Sequence, residues 1–436
     1  MNAAAPAFID SMRAAALPAS GIGWLDDARR EAMQAFIARG LPDTRDELWK
    51  YTALRALERR GYASPQAMAA SIAVDASAFA LPGIDGPCMV FVDGAFRADL
   101  SRLDALPAGL EVTPLSRALA ENPEPLRFLL ARRAEHEDAF IALNRALAVE
   151  GALVRAAPGT AVQTPLHTVY LGAPGEDAVA WHARSFIEVG EGANLRIIEH
   201  HVAAGEQAHL ANLECVYVLH ARSRLDLLSL QDAAGGATLF RRDDFQLHED
   251  AQLALHALEI GGSLSRHEIR IALDGARSRC EARGAFALRG RQHADTELLI
   301  DHRGRDTVSR SSWRGVAADR ARGVFHGAIT VHSGADGSDA QLDNKNLLLS
   351  ESAEIDTRPA LEIHADEVKA AHGATVGQLD EHALFYLRSR GIREEQARAL
   401  LVRAFCALAL GGIEPQALRE HCDALLLAHL PRNEEE

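Results

Sequence analysis

The chain has 436 residues, 48% of them hydrophobic, and sets 46 Lys and Arg against 61 Asp and Glu for a formal net charge of -15. Two or three domains and a large buried core fit within that length, and the lack of excess positive charge leaves nothing to displace counterions from a phosphate backbone, so no nucleic acid partner is expected. No eighteen uncharged apolar residues stand in a row and no basic start precedes an apolar run, which gives the expectation of a soluble cytoplasmic protein with no membrane partner.

Residues 1-150 read as a mostly helical domain with a small hairpin. In GWLDDARREAMQAFIARG, Leu25, Ala28, Ala32 and Phe36 recur at helical spacing and Gly40 is placed to end the helix. Thr44 and Glu47 have the S/T-x-x-E spacing of a capping box, which predicts a helix over TRDELWKYTALRAL anchored by Trp49 and Tyr51. Residues 63-87, rich in alanine and proline, read as a linker, and CMVFVDGAFRADL as a hairpin turning at Asp93-Gly94.

Near Gly151 the period changes to two. Ile269, Ile271 and Leu273, and again Phe325, Gly327, Ile329 and Val331, alternate with polar residues as strands do. Ala193, Ala221, Ala251 and Ala276, each following a polar turn, lie 28, 30 and 25 residues apart by subtraction, a spacing suited to the coils of a solenoid. A parallel β-helix over 151-376 fits best; a β-sandwich, the alternative, wants more hairpin punctuation. From 377 to 436 the helical period returns. Asp380 caps EHALFYLRSR, Gly391 ends it, Ala397, Leu400, Ala404 and Leu408 share a stripe of the next helix, and Pro415 suits the first turn of a last one. These helices either cap the solenoid or present a binding surface.

Chemical motifs are scarce. The five cysteines are odd in number and never form C-x-x-C, as expected of small core residues in a reducing compartment. A phosphate-binding G-x-x-x-x-G-K-[ST] loop, H-E-x-x-H and G-x-S-x-G are all missing, so any ATP must be bound by another chain. Cys422 and His429 would stand about 10.5 Å apart along a helix at ~1.5 Å per residue, too far to share an ion. Glu362, His364 and Asp366 share one side of a strand, and His326 and His332 the polar side of another; each row has residues that could ligate a metal but reads first as a solvated face. His372, beside Gly373, is either a ligand or a residue that closes a turn.

The block LDNKNLLLSESAEIDTRPALEIHADEVKAAHGATVGQLDEHALFYLRSRGI, with RGVFHGAITV before it and DELWKYT far upstream, resembles the SufB/SufD family of the SUF iron–sulfur cluster assembly machinery. The likeness is close over the C-terminal third, holds in order at the N-terminal element, and extends by pattern through the middle. It implies a mainly β protein, a right-handed parallel β-helix flanked by N-terminal and C-terminal α-helical segments. It also implies a scaffold rather than an enzyme, pairing with SufB through the β-helix and carrying the ABC-type ATPase SufC on its C-terminal helices, with ATP entering only through SufC.

Two positions separate the family's branches. SESAEIDT places Ala353 where SufB-type chains carry a cluster-linked cysteine, and Gly373 stands where they carry an acid, so the likeness falls on the SufD side. It assigns His372 as a metal ligand for a transient iron or iron–sulfur cluster shared with SufB, and Phe385, Tyr386, Leu387, Arg388 and Gly391 to partner binding. Ala370 stands where many relatives have a cysteine, so the thiolate must come from SufB. In the paralogue's absence an exposed solenoid edge favours a homodimer. The competing readings are a cytoplasmic β-helix enzyme acting on carbohydrate, which would need paired carboxylates in a groove, and a purely structural partner of the ATPase.

Overall fold

The alternating stretches become strands in the computed structural model, which describes residues 6-64, 72-131 and 137-430. From N- to C-terminus they are β1 Cys88–Val92, β2 Ala95–Phe96, β3 Leu110–Pro114, β4 Ala152–Ala156, β5 Leu166–Gly172, β6 Ala180–Val189, β7 Asn194–Ala203, β8 Leu210–Leu219, β9 Arg224–Ala233 and β10 Thr238–Leu247. There follow β11 Gln252–Gly261, β12 Leu264–Leu273, β13 Arg279–Leu288, β14 His293–His302, β15 Val308–Ala317, β16 Arg322–Val331, β17 Asp339–Leu348, β18 Glu354–Ile363 and β19 Lys369–Gly377. From β4 onward successive strands go to opposite sheets. One has ten strands in the order β19-β17-β15-β13-β11-β9-β7-β5-β1-β2, the other nine in the order β18-β16-β14-β12-β10-β8-β6-β4-β3.

From β4 and β5 onward every pairing is parallel, each strand to the next but one, so the chain winds as a two-sheet β-solenoid. By subtraction of register partners a coil takes from 26 residues (Thr238 to Leu264) to 33 (Leu153 to Phe186). The solenoid also reaches upstream of residue 151. The hairpin at Asp93-Gly94 forms as expected, but β1 joins β5 in parallel, and β3 closes the other sheet against β4 in antiparallel fashion.

The repeat column differs from the alanine spacing. The equivalent positions before β7, β9, β11 and β13 are Ala193, Ser223, Ala251 and Ser278, all buried. Each follows a residue with positive φ: Gly192, Arg222, Asp250 and Arg277. The amide of that residue donates to a carbonyl of the next coil, as from Gly192 to Ala221 and from Asp250 to Ala276, both 2.9 Å. Ala221 and Ala276 thus sit in the turn, two positions before the column. What the column requires is a small side chain with no unmet polar group, and the serine hydroxyls meet this by donating to the carbonyl three residues back (Ser223 to His220, 2.7 Å; Ser278 to Gly275, 2.8 Å).

Inward residues of both sheets form one apolar core from Met89 to Ile355. The indole of Trp313 lies where a Cβ on Gly284, its register partner, would stand, so only glycine fits there. Outside lie α1 (Ala7–Ala14), α2 (Gly23–Arg39), α4 (Leu115–Glu121), α5 (Arg127–Ala131) and α6 (Ala139–Leu147); α2 and α6 cover the nine-stranded sheet, where Phe140 stacks on Phe240 at 3.8 Å between centroids. Gly40 ends α2 in a left-handed conformation. The capping-box helix does not form: Asp46, not Thr44, caps a single 3-10 turn at Glu47–Trp49, and a four-residue helix, α3 (Arg55–Glu58), follows. Tertiary contact overrides the local signal, because Trp49 is held between Phe140 at 5.4 Å and the guanidinium of Arg266 at 4.1 Å. Tyr51 stays half-exposed. Of the expected linker, 65-71 lies outside the described residues; its later part packs on the solenoid through Phe79, Leu81 and Ile84, all buried. No helix among the described residues is long and apolar enough to cross a membrane.

Candidate functional site at the open end of the solenoid

Strands β18 and β19 are the last of their sheets, and among the described residues no strand pairs with their outer edges. Pro359, which lacks a ladder donor and suits an edge, lies within β18. The register of β19 on β17 places Ala370, His372, Ala374 and Val376 beside Ala340, Leu342, Asn344 and Asn346, all four of which are buried. His372 therefore belongs to the inward row of the solenoid, exposed only because no further coil covers it. It lies mid-strand, so the turn-closing alternative is wrong, and its ring makes no hydrogen bond to any described residue. Ile363 and Val376, 43% and 41% exposed, mark the same uncovered end of the core.

The other rows do not converge. Glu362 is on β18, whereas His364 and Asp366 lie in the turn after it; His364 Nε2 pairs with Glu362 Oε1 at 2.7 Å, and the Asp366 amide donates to Asp336. His326 faces Glu297 at 3.8 Å, while His332 pairs with Asp301 at 3.0 Å. Cys422 is buried against the ten-stranded sheet, and His429 faces Asp232 at 3.6 Å, so neither helps to form a metal site.

All five cysteines are buried. Burial pushes the Cys88 thiol up to about 11 and those of Cys280, Cys406 and Cys422 up to about 12. None offers a thiolate to the surface. Ala370 occupies the inward row two residues before His372, so a cysteine there would share the imidazole's side.

A second polar group, unforeseen from the motifs, lies inside the solenoid. Glu199, Cys215 and Asp243 bring three ligand-type atoms within 4.8 Å. Arg241 already holds the positive charge between them, donating to Glu199 at 2.8 Å and Asp243 at 2.6 Å. Burial acts to raise the Glu199 carboxyl, but Arg241, His201 and Tyr217 outweigh it and bring it down to about 2. His267 bridges Asp243 and Glu259 at 2.9 and 2.8 Å; burial opposes its charge, and the two carboxylates nevertheless raise it. The signal was available in the alternation, which puts Glu199 and His201 on the face of Leu195 and Ile197.

Three residues after β19, α7 (Glu381–Ser389) begins, with Asp380 accepting from the amides of His382 and Ala383. Phe385 and Tyr386 are 73% and 54% exposed, Leu387 is half-buried, Arg388 pairs with Glu394 at 3.2 Å, and Gly391 makes the left-handed turn to the next helix. On α8 (Glu394–Leu410) the expected stripe divides. Ala397 is buried, but Leu400, Ala404 and Leu408 face outward, and Val402, Cys406 and Ala409 pack on the sheet instead. With α9 (Gln416–Ala428), α8 is strapped to the outer face of the ten-stranded sheet, where His256 Nε2 donates to the Gly411 carbonyl at 2.8 Å.

Compared with known proteins, residues 171-405 match the family described as SUF system FeS cluster assembly, SufBD core domain, and residues 11-168 match the SufBD protein N-terminal region. The chain is 30% identical over 405 residues to the iron–sulfur cluster assembly protein SufD of Escherichia coli, covering 92% of each chain. It is 27% identical over 387 residues to a SufBD family protein of Synechocystis, covering 87% of this chain and 85% of that one. To the SufD protein of Bacillus subtilis it is 26% identical over 289 residues, covering 64% of this chain and 65% of that one.

Proposed function

The chain belongs to the SufB/SufD family, on its SufD side, as a scaffold of iron–sulfur cluster assembly without catalytic machinery of its own, and from that premise we propose that it works in the cytoplasm paired with SufB and carrying SufC. In this reading 377-436 is the ATPase-binding part, 151-376 the solenoid that meets SufB, and 1-150 supplies the first strands of the sheets and the helices that cover their outer face. The nascent cluster or its iron is cargo held at the boundary between subunits.

One observation carries the reading: His372 sits in the inward row of an uncovered edge strand, where a second solenoid continuing the sheets would enclose it. An imidazole nitrogen there suits iron, and since every cysteine of this chain is buried, the thiolates come from the partner. SufC would dock on the exposed Phe385, Tyr386, Leu400 and Leu408, with Leu387, Arg388 and Gly391 shaping that surface. Only three residues separate β19 from α7, so movement of the ATPase-bound helices is passed directly to the strand that carries His372.

The test is His372→Ala in the three-protein complex, followed by size-exclusion chromatography and by cluster absorbance after anaerobic assembly. An intact complex that no longer accumulates cluster supports the reading. Unchanged cluster formation would overturn it and leave the chain a structural partner of the ATPase.

A further inference from the structure

The open end is adhesive by two physical criteria. Its strand edges have unpaired backbone donors and acceptors, and Leu361, Ile363 and Val376 leave apolar core half-exposed or exposed. What surrounds that adhesive centre is negative. Residues 350-378, the last coil, contain six carboxylates against two cations, a net -4: Glu351, Glu354, Asp356, Glu362, Asp366 and Glu367 against Arg358 and Lys369. One of those cations is already engaged, since Glu47, arriving from the N-terminal cover, pairs with Arg358 at 2.7 Å and adds another acid beside β18. Arg322 of the preceding coil takes up Glu354 and Asp356, at 3.2 and 2.8 Å. Glu362, Asp366 and Glu367 remain exposed, and Glu362 pairs with the imidazole of His364.

We propose that this acidic rim is a specificity device which disfavours pairing with a second copy of this chain and selects a non-identical solenoid whose terminal coil is neutral or basic. The proposal rests on the reading above that the open end meets another solenoid, and names what that end must carry. Two copies related by a two-fold axis would bring the same rim against itself. Rim carboxylates would then face each other within a Debye length, ~10 Å at 0.1 M salt, where like charges oppose association. A partner without that charge keeps the apolar contact and the strand pairing and pays no such repulsion. The attraction is therefore generic and the discrimination comes from repulsion against the wrong partner.

Self-association of the full chain, measured by sedimentation velocity, tests this, with wild type and the triple variant Glu362→Gln, Asp366→Asn, Glu367→Gln compared at about 0.05 and 0.3 M NaCl. The wild type is expected to self-associate more tightly at the higher salt, and the variant about tenfold more tightly than wild type at the lower salt, with a weaker salt response. A variant that gains no self-association over wild type at low salt overturns the proposal. In a parallel run with the SufB-type paralogue, failure of a mixed dimer at both salts would reject the pairing itself, whatever the rim does to self-association.

Discussion

Acidification from pH 7 toward 5 should destabilise this protein steeply, because several histidines are held as neutral imidazoles, four of them pushed down to about 3 or 4. Burial pushes His167 down to about 4, with Arg102 adding to the effect, and takes His182 down to about 3. His293 and His302 go to about 4, again chiefly by burial, although neighbouring Asp295 and Asp301 pull the other way. His302 is fully enclosed between the hydroxyls of Thr307 and Ser309, both at 2.8 Å, partners that satisfy a neutral ring. The ordinary value, which the unfolded chain keeps, is 6.5. Below it the unfolded state binds protons that the folded state refuses, so this stability is complete above pH 6.5 and is lost as pH falls toward 4, or 3 for His182. Near pH 5 the four sites amount to roughly three to four protons taken up on unfolding, or about 5 kcal/mol per pH unit at ~1.4 kcal/mol per proton and unit. His267, whose value is raised, works in the opposite sense: its contribution is present at low pH and lost as pH rises through its folded value. Potentiometric measurement of proton uptake on urea unfolding near pH 5 reads the net of all such groups, including His200, also pushed down by burial, and Asp138 and Glu297, whose carboxyls burial pushes up, so the test is the difference: His302→Gln should lower the uptake by about one. An uptake that His302→Gln leaves unchanged would refute the neutral burial of that ring.

Gly284→Ala forces a methyl group into the Trp313 indole and should cost about 1–3 kcal/mol in urea denaturation, with Trp313→Leu in the same chain recovering part of the loss. Arg241→Met leaves Glu199 and Asp243 buried without their cation, an expected loss of about 3–5 kcal/mol; a change below about 1 kcal/mol would mean that the pair is not desolvated as the structure has it. Leu408→Glu with Phe385→Ala touches only exposed side chains, so stability should move by less than about 0.5 kcal/mol, while co-purification of the ATPase should fall; unchanged co-purification would place the docking surface elsewhere.

The ends of the chain and its middle were legible to different degrees. Helix α2 and its stop at Gly40, the hairpin at Asp93-Gly94, and α7 with its Asp380 cap are local features, and each forms where its own residues place it. The Thr44 and Glu47 box has the right spacing yet forms no such helix, because Trp49 gains more from Phe140, Phe240 and Arg266 than the backbone would gain from another helical turn. Similarly, the apolar stripe at Leu400, Ala404 and Leu408 is real, but periodicity cannot tell a stripe that packs on the protein from one kept for a partner. The repeat was legible as a period of roughly one coil while its register was not, since Ala and Ser both satisfy the same small buried position.

The sequence by itself determined the solenoid class, the helical flanks and the position of His372 near the end of the last coil, because two-residue alternation, caps and turns are written within a few neighbouring residues. Only the tertiary structure decided that His372 lies in an inward row of an open edge, that Arg241 closes the Glu199 and Asp243 pair, and that the acids of the last coil form a rim around exposed core. The reason is distance along the chain. A coil brings together residues about thirty positions apart, and whether a side chain at one of them is covered depends on the existence of the next coil.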